Sequence, residues 1–126
     1  MATNIPANLR YTKDHEWAKL EGDVITVGIT DFAQSSLGDI VFVELPDVDT
    51  DLDHEATFGV VESIKSVSDL FSPVSGVVVE KNSDIKSSPE LLNADPYAHW
   101  MIKIKVSDTS VFDSLLSPSD YEKCCQ

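Results

Sequence analysis

Apolar and polar positions alternate along Val24-Ile25-Thr26-Val27-Gly28-Ile29, and β-branched runs recur at Ile40-Val41-Phe42-Val43-Glu44 and Gly76-Val77-Val78-Val79-Glu80. The cleanest two-residue period is Met101-Ile102-Lys103-Ile104-Lys105-Val106. β-Branched runs of this length predict strands. In the last of them Lys103 and Lys105 point outward, which predicts a half-exposed or edge strand. Thr30-Asp31 predicts the cap of a short helix reaching Ser36 or Leu37, with Gly38 as its left-handed stop. Pro46 closes the second run and leads into an acidic loop through Asp53.

Two further β-rich runs meet at a polar pair. Gly59-Val60-Val61-Glu62-Ser63-Ile64 leads up to Lys65-Ser66, and Val67-Ser68-Asp69-Leu70-Phe71-Ser72-Pro73 leads away. The pattern predicts a hairpin with Lys65 at its tip. Lys65 is the sole basic residue between Lys19 and Lys81, in a stretch holding thirteen carboxylates. A hairpin tip is a place where a side chain can be reached by an enzyme, extended covalently and swung. On this setting alone Lys65 reads more readily as an ordinary solvated lysine.

The ends of the chain are less regular. About ten irregular residues precede Tyr11-Thr12-Lys13-Asp14-His15-Glu16-Trp17, where Tyr11 and Trp17 are core or lid aromatics. Ser88-Pro89-Glu90-Leu91-Leu92 reads as a short helix with a serine cap and proline at its first position. Ser110 to Leu116 and Pro118 to Cys124 each read as about two helical turns. A shift of 38 residues superposes Thr30-Asp31-Phe32 on Ser68-Asp69-Leu70, and Gly38-x-Ile40-Val41 on Gly76-x-Val78-Val79. That weak self-similarity points to two related halves. The expected fold is mainly β, a small antiparallel sandwich or flattened barrel with short peripheral helices. We expect one domain over 1–126, with a core of about 11–106 and a helical appendage of about 110–124.

Composition narrows the partners. Nine basic residues against 22 acidic ones give a formal charge of −13. Such a field repels phosphate backbones and anionic lipid, so nucleic acid and membrane are not expected partners; a basic docking face is. Cys124 and Cys125 are adjacent and the chain has no other cysteine, so no ordinary loop-closing disulfide is expected and the chain reads as intracellular. With neither a signal-peptide core nor an Arg-rich transit segment at the start, the cytoplasm is expected, or the mitochondrial matrix for a processed eukaryotic chain.

Catalytic constellations are not visible. His15-Glu16 and His54-Glu55 resemble half of a zinc-protease motif, but positions 19 and 58 hold Lys19 and Phe58. The three histidines and the terminal cysteines have no zinc-ligand spacing. The five glycines form neither a phosphate loop nor a dinucleotide fingerprint, and no serine sits in a nucleophile elbow. The chain is therefore expected not to be an enzyme and to hold no metal.

The segment Glu62-Ser63-Ile64-Lys65-Ser66-x-Ser68-Asp69-Leu70-Phe71-Ser72-Pro73-Val74-Ser75-Gly76 resembles the lipoyl-lysine signature of the glycine cleavage system H proteins. The resemblance extends through Tyr11 to Trp17, Val27 to Gln34, Leu37 to Pro46, Pro89-Glu90-Leu91-Leu92-Asn93-x-Asp95-Pro96-Tyr97 and Trp100 to Ile104. It implies a lipoyl-domain fold and a lipoate joined to Lys65 as N6-lipoyl-lysine. The implied role is to shuttle an aminomethyl group and reducing equivalents. The implied partners are a pyridoxal-phosphate glycine decarboxylase, a tetrahydrofolate-dependent aminomethyltransferase, dihydrolipoyl dehydrogenase and a lipoylating enzyme. The arm would place its first sulfur about twelve bonds, roughly 15 Å, from the lysine backbone. On the same resemblance Glu62, Ser63 and Asp69 are recognition residues for the lipoylating enzyme. Glu16, Asp69 and Asp14 are candidates for holding the cationic amine of the loaded arm.

The chain departs from the family pattern at Asp95-Pro96-Tyr97-Ala98-His99-Trp100, one residue short and lacking the usual glycine before the tryptophan. Rival readings are a family member that relays lipoyl groups to other apo-proteins, and an unmodified acidic binding module. A biotinyl carrier fits less well, since Ile64 and Ser66 flank the lysine where that family has methionines.

Overall fold

The computed structural model describes residues 4–125. The first three residues of the irregular start and Gln126 lie outside them. Strands β1 (Arg10–Tyr11), β2 (Glu16–Glu21), β3 (Val24–Ile29), β5 (Asp51–Leu52), β8 (Gly76–Lys81) and β9 (Ile102–Lys105) form one sheet in the order β1-β2-β3-β9-β8-β5. Strands β4 (Ile40–Glu44), β6 (Thr57–Ser63) and β7 (Val67–Phe71) form a second sheet in the order β4-β6-β7. Every pairing is antiparallel. The fold is mainly β with a few short helices, as the alternating runs predict.

The main core draws on both sheets, with Val27, Ile29, Val78 and Ile104 from the larger one and Val43, Val61 and Leu70 from the smaller. A second cluster forms around Tyr11, Trp17 and Tyr121. Tyr11 and Tyr121 stack with ring centroids 4.6 Å apart, joining β1 to the C-terminal helix α4 (Pro118–Cys124). Trp17 lies over its cross-strand partner Gly28. A Cβ on Gly28 would stand 2.6 Å from the indole, so only glycine admits the ring there.

Local signals held where capping chemistry was explicit. Helix α1 (Asp31–Leu37) begins at Thr30, whose side chain accepts from Ala33 N–H, and ends at Gly38 with φ 80°. Helix α4 begins at Ser117, which accepts from Asp120 N–H, with Pro118 in its first turn.

Three expectations need correction. Strand β9 is an interior strand between β3 and β8, not an edge. It is half-exposed, the other alternative expected: Lys105 is exposed, while Lys103 pairs with Glu80 at 3.6 Å and lies over the Trp100 ring at 4.8 Å. Ser88 is not an N-cap; it is the C-cap of the unforeseen α2 (Ser83–Ser87), its N–H donating to Asp84 O, and α3 (Leu91–Ala94) has Glu90 at its start without a side-chain cap bond. The helical turns expected from Ser110 to Leu116 are present, as a 3₁₀ helix over Thr109–Ser114. The 38-residue shift sets α1 against β7, so that self-similarity does not extend to local structure there.

The segment lacking its glycine turns by another means. Asp95 Oδ1 accepts from Tyr97 N–H at 3.1 Å and Ala98 N–H at 3.2 Å, an Asx-type turn that needs no positive φ. Trp17 Nε1 donates to Pro96 O at 3.0 Å, and the Tyr97 hydroxyl accepts from Asp31 N–H at 3.1 Å. The loop is thereby tied to β2 and α1.

Candidate functional site

Strand β6 ends at Ser63 and β7 begins at Val67, so Ile64-Lys65-Ser66 forms the tip. Ser63 N–H donates to Ser66 O at 2.8 Å. The Ser63 hydroxyl accepts from Ser66 N–H at 3.1 Å and from Lys65 N–H at 3.3 Å, which shapes the turn from one small side chain. Ile64, Lys65, Ser66 and Val67 are all exposed. Lys81, Lys103, Lys105 and Lys123 each reach a carboxylate within 4 Å, whereas Lys65 has no ion pair among the described residues. An exposed, unpaired amine between small serines fits an amide-linked acyl group.

Around the tip the surface is apolar with carboxylates set into it. Phe42 pairs with Glu62 across β4 and β6, and Glu62 pairs with Val67 across β6 and β7. Phe42 and Val67 are 41% and 64% exposed, so this row faces solvent with Glu62 at its centre. Asp69, opposite Val60, is exposed.

A cleft of about 210 Å³ opens beside the hairpin. Ser66, Ser68 and Asp69 line one side, Ala33, Ser36 and Leu37 of α1 another, and Asp14 and His15 close the end. The structure thus brings Asp14 and Asp69 to one cavity next to Lys65. A second cavity, also about 210 Å³, is lined by Glu16, Thr12, Lys13, Asp14, His54, Glu55 and Phe71 and contains no tip residue. Size does not decide between them; adjacency to the hairpin does.

Glu16 is placed differently from Asp14 and Asp69. It is 1% exposed, not a solvated strand edge. Its Oε1 accepts from the Thr12 hydroxyl at 2.7 Å and its Oε2 from Phe71 N–H at 3.2 Å, pinning the loop before β2 to the end of β7. Burial outweighs those two bonds and pushes its carboxyl up to about 8.

One neighbour of the cleft was not legible in the sequence. His15 has a left-handed backbone with φ 69°, and its ring stacks on Phe32 at 4.5 Å. Its Nδ1 lies 2.8 Å from the Tyr121 hydroxyl, which lies 2.6 Å from Thr30 Oγ1. Thr30 Oγ1 also accepts from Ala33 N–H, and its second lone pair and its own proton leave either direction open to its bond with Tyr121. Burial lowers the His15 pKa, against the pull of Asp14. Residues 106 positions apart in sequence make this contact, and no local pattern announces it.

The model of the glycine cleavage H-protein family matches residues 9–126 of this chain. The chain belongs to the glycine cleavage H-protein family. It is 54% identical over 120 residues to the glycine cleavage system H protein of Carboxydothermus hydrogenoformans, covering 94% of this chain and 92% of that one. With the H protein of Staphylococcus haemolyticus the identity is 52%, covering 94% and 95%. The crystal structure of a glycine cleavage system H protein from Mycobacterium marinum superposes with a TM-score of 0.86 at 39% identity, covering 94% and 97%.

Membership settles the class of activity. H proteins are the lipoyl carriers of the glycine cleavage system, bearing lipoate on a lysine, and are carrier components, not catalysts. They work with the decarboxylase, aminomethyltransferase and dihydrolipoyl dehydrogenase components. No helix among the described residues is long and apolar enough to cross a membrane.

Proposed function

We propose that Lys65 is the lysine that carries the lipoyl group, and that the cleft beside it shelters the loaded arm. The observation that carries this reading is the hairpin itself: an exposed, unpaired lysine on a serine-braced tip next to a cleft with two carboxylates. Bound there in amide linkage, lipoate supplies a cyclic disulfide that takes up an aminomethyl group with two electrons and gives both up in turn. The chain's residues present the arm, shield its end from water and balance its charge. Asp14 and Asp69 are the carboxylates that line the cleft and suit a cationic amine. Glu16 joins them only with its bonds to Thr12 and Phe71 broken; in the resting arrangement it anchors the wall between the two cavities.

Glu62 and Asp69, exposed or half-exposed on the outer rows of the small sheet, and Ser63, which shapes the turn, are the recognition residues for the lipoylating enzyme. The carrier unit spans 1–126. Its core is about 11–106, and the segment of about 110–124 is held on it by the buried Tyr121. We place the protein in the cytoplasm, in line with its bacterial relatives.

The test is intact mass and peptide fragmentation of protein co-expressed with a lipoylation system, alongside Lys65→Arg. A lipoyl increment confined to the Lys65 peptide and absent from the variant is expected. An increment that survives Lys65→Arg moves the arm to another lysine. Turnover with purified decarboxylase then separates glycine cleavage from lipoyl relay.

A further inference from the structure

Asn93, in α3, spends its side-chain amide on the segment that joins α1 to β4. Nδ2 donates to Gln34 Oε1 at 3.0 Å and to Gly38 O at 2.9 Å, while Oδ1 accepts from Ile40 N–H at 2.9 Å. Both donor protons are used. Between the two backbone anchors lies Asp39, whose carbonyl accepts from Ile64 N–H at 3.0 Å. Among the described residues this is the one hydrogen bond from Ile64, Lys65 or Ser66 to a residue outside the hairpin. The Lys65 stem also lies along the same segment, since a Cβ on Gly38 would stand 3.4 Å from Lys65 Cε.

We infer that Asn93 is a positioning residue for Lys65: by clamping Gly38 and Ile40 it holds the Asp39 carbonyl where it fixes the lysine-bearing tip against the cleft. The turn bonds within Ser63–Ser66 give the tip its shape; the β4–β6 pairing, which ends at Ile40 opposite Ser63, and the Ile64–Asp39 bond give it its place, and the clamp holds the β4 side of both. A half-buried side-chain amide with both donors and its acceptor used holds its partners more firmly than a fully exposed contact does, because releasing them leaves partly shielded polar groups unpaired. The functional consequence rests on Lys65 as the attachment point, whereas the clamp itself does not.

Amide hydrogen exchange on the unmodified protein tests the clamp without reference to lipoate. In Asn93→Ala, exchange at Ile64 should rise at least about tenfold, while Ser63, held by Ser66 within the turn, stays within about twofold. The rate of enzymatic lipoylation at limiting carrier should fall about three- to tenfold. Unchanged Ile64 exchange, or faster exchange with an unchanged lipoylation rate, overturns the inference. Should Asn93→Ala unfold, the same two amides are read in Asn93→Asp, which keeps the acceptor for Ile40 and loses both donors; equal loss of protection at Ile64 and Ser63 overturns positioning in favour of a general stability role. A lipoyl increment that persists in Lys65→Arg refutes the attachment site and leaves the Ile64 result standing.

Discussion

Replacing Glu16 by glutamine should flatten the pH dependence of stability. The folded carboxyl titrates at about 8 against an ordinary value of 4.5, so between those values the folded chain binds a proton that the unfolded chain releases. A raised acid contributes stability that is fully present below pH 4.5 and is lost as pH rises through 8. For a single group with these two values, the loss from pH 5 to pH 8 is about 3.5 kcal/mol, and about 2.5 kcal/mol were the folded value one unit lower. The glutamine amide can still accept from Phe71 N–H and face Thr12, so the packing is retained and only the titration is removed.

Urea unfolding at pH 5, 6, 7 and 8, followed by tryptophan fluorescence, reads the difference between the two proteins. His15, whose depressed pKa makes stability rise with pH, is present in both and cancels to first order. The variant should gain about 2.5–3.5 kcal/mol on the wild type between pH 5 and pH 8. A difference that does not change with pH would show that Glu16 is already ionised in the fold, with the Thr12 and Phe71 bonds outweighing its burial.

Three further outcomes are expected. Asp14→Asn with Asp69→Asn should speed loss of the aminomethyl group from the loaded carrier about three- to tenfold, measured by mass against time; an unchanged lifetime removes both from amine holding. Gly28→Ala forces a Cβ within 2.6 Å of the Trp17 ring and should cost about 1–3 kcal/mol, visible as a lower Tm and a shifted tryptophan emission. Thr26→Val should stabilise by about 1 kcal/mol in urea unfolding, because Thr26 Oγ1 is buried with no hydrogen-bond partner among the described residues.

Features carried by near neighbours were legible in the sequence. Thr30 and Gly38 announce both ends of α1, and the Lys65 hairpin closes over a few residues. Strand β2 escaped notice because it opens on three buried residues, Glu16, Trp17 and Ala18, so it shows no clean alternation. The lysines of β9 reveal which face they occupy, but alternation cannot reveal how many neighbours a strand has; Glu80, which pairs with Lys103, comes from β8, twenty-three positions earlier. The His15–Tyr121–Thr30 chain and the Asn93 clamp span 106 and 53–59 positions, and polar groups that meet at such range leave no periodic trace. Asp14 and Glu16 stand two residues apart and both line the second cavity, yet Asp14 is exposed while Glu16 is buried and bonded to Thr12 and Phe71.

With the lipoyl group on Lys65, as proposed above, the isolation of that lysine among carboxylates would give the carrier an electrostatic memory of its own maturation. Acylating its amine erases the one positive charge between Lys19 and Lys81 and takes the formal net charge from −13 to −14 (−13 − 1). A lipoylating enzyme meets a negative surface with a cation at its summit. Every later partner meets the same surface without it. Immature and mature carrier thus carry different labels at the point of contact, so docking affinity alone can order the visits and unmodified chains need not compete for the decarboxylase.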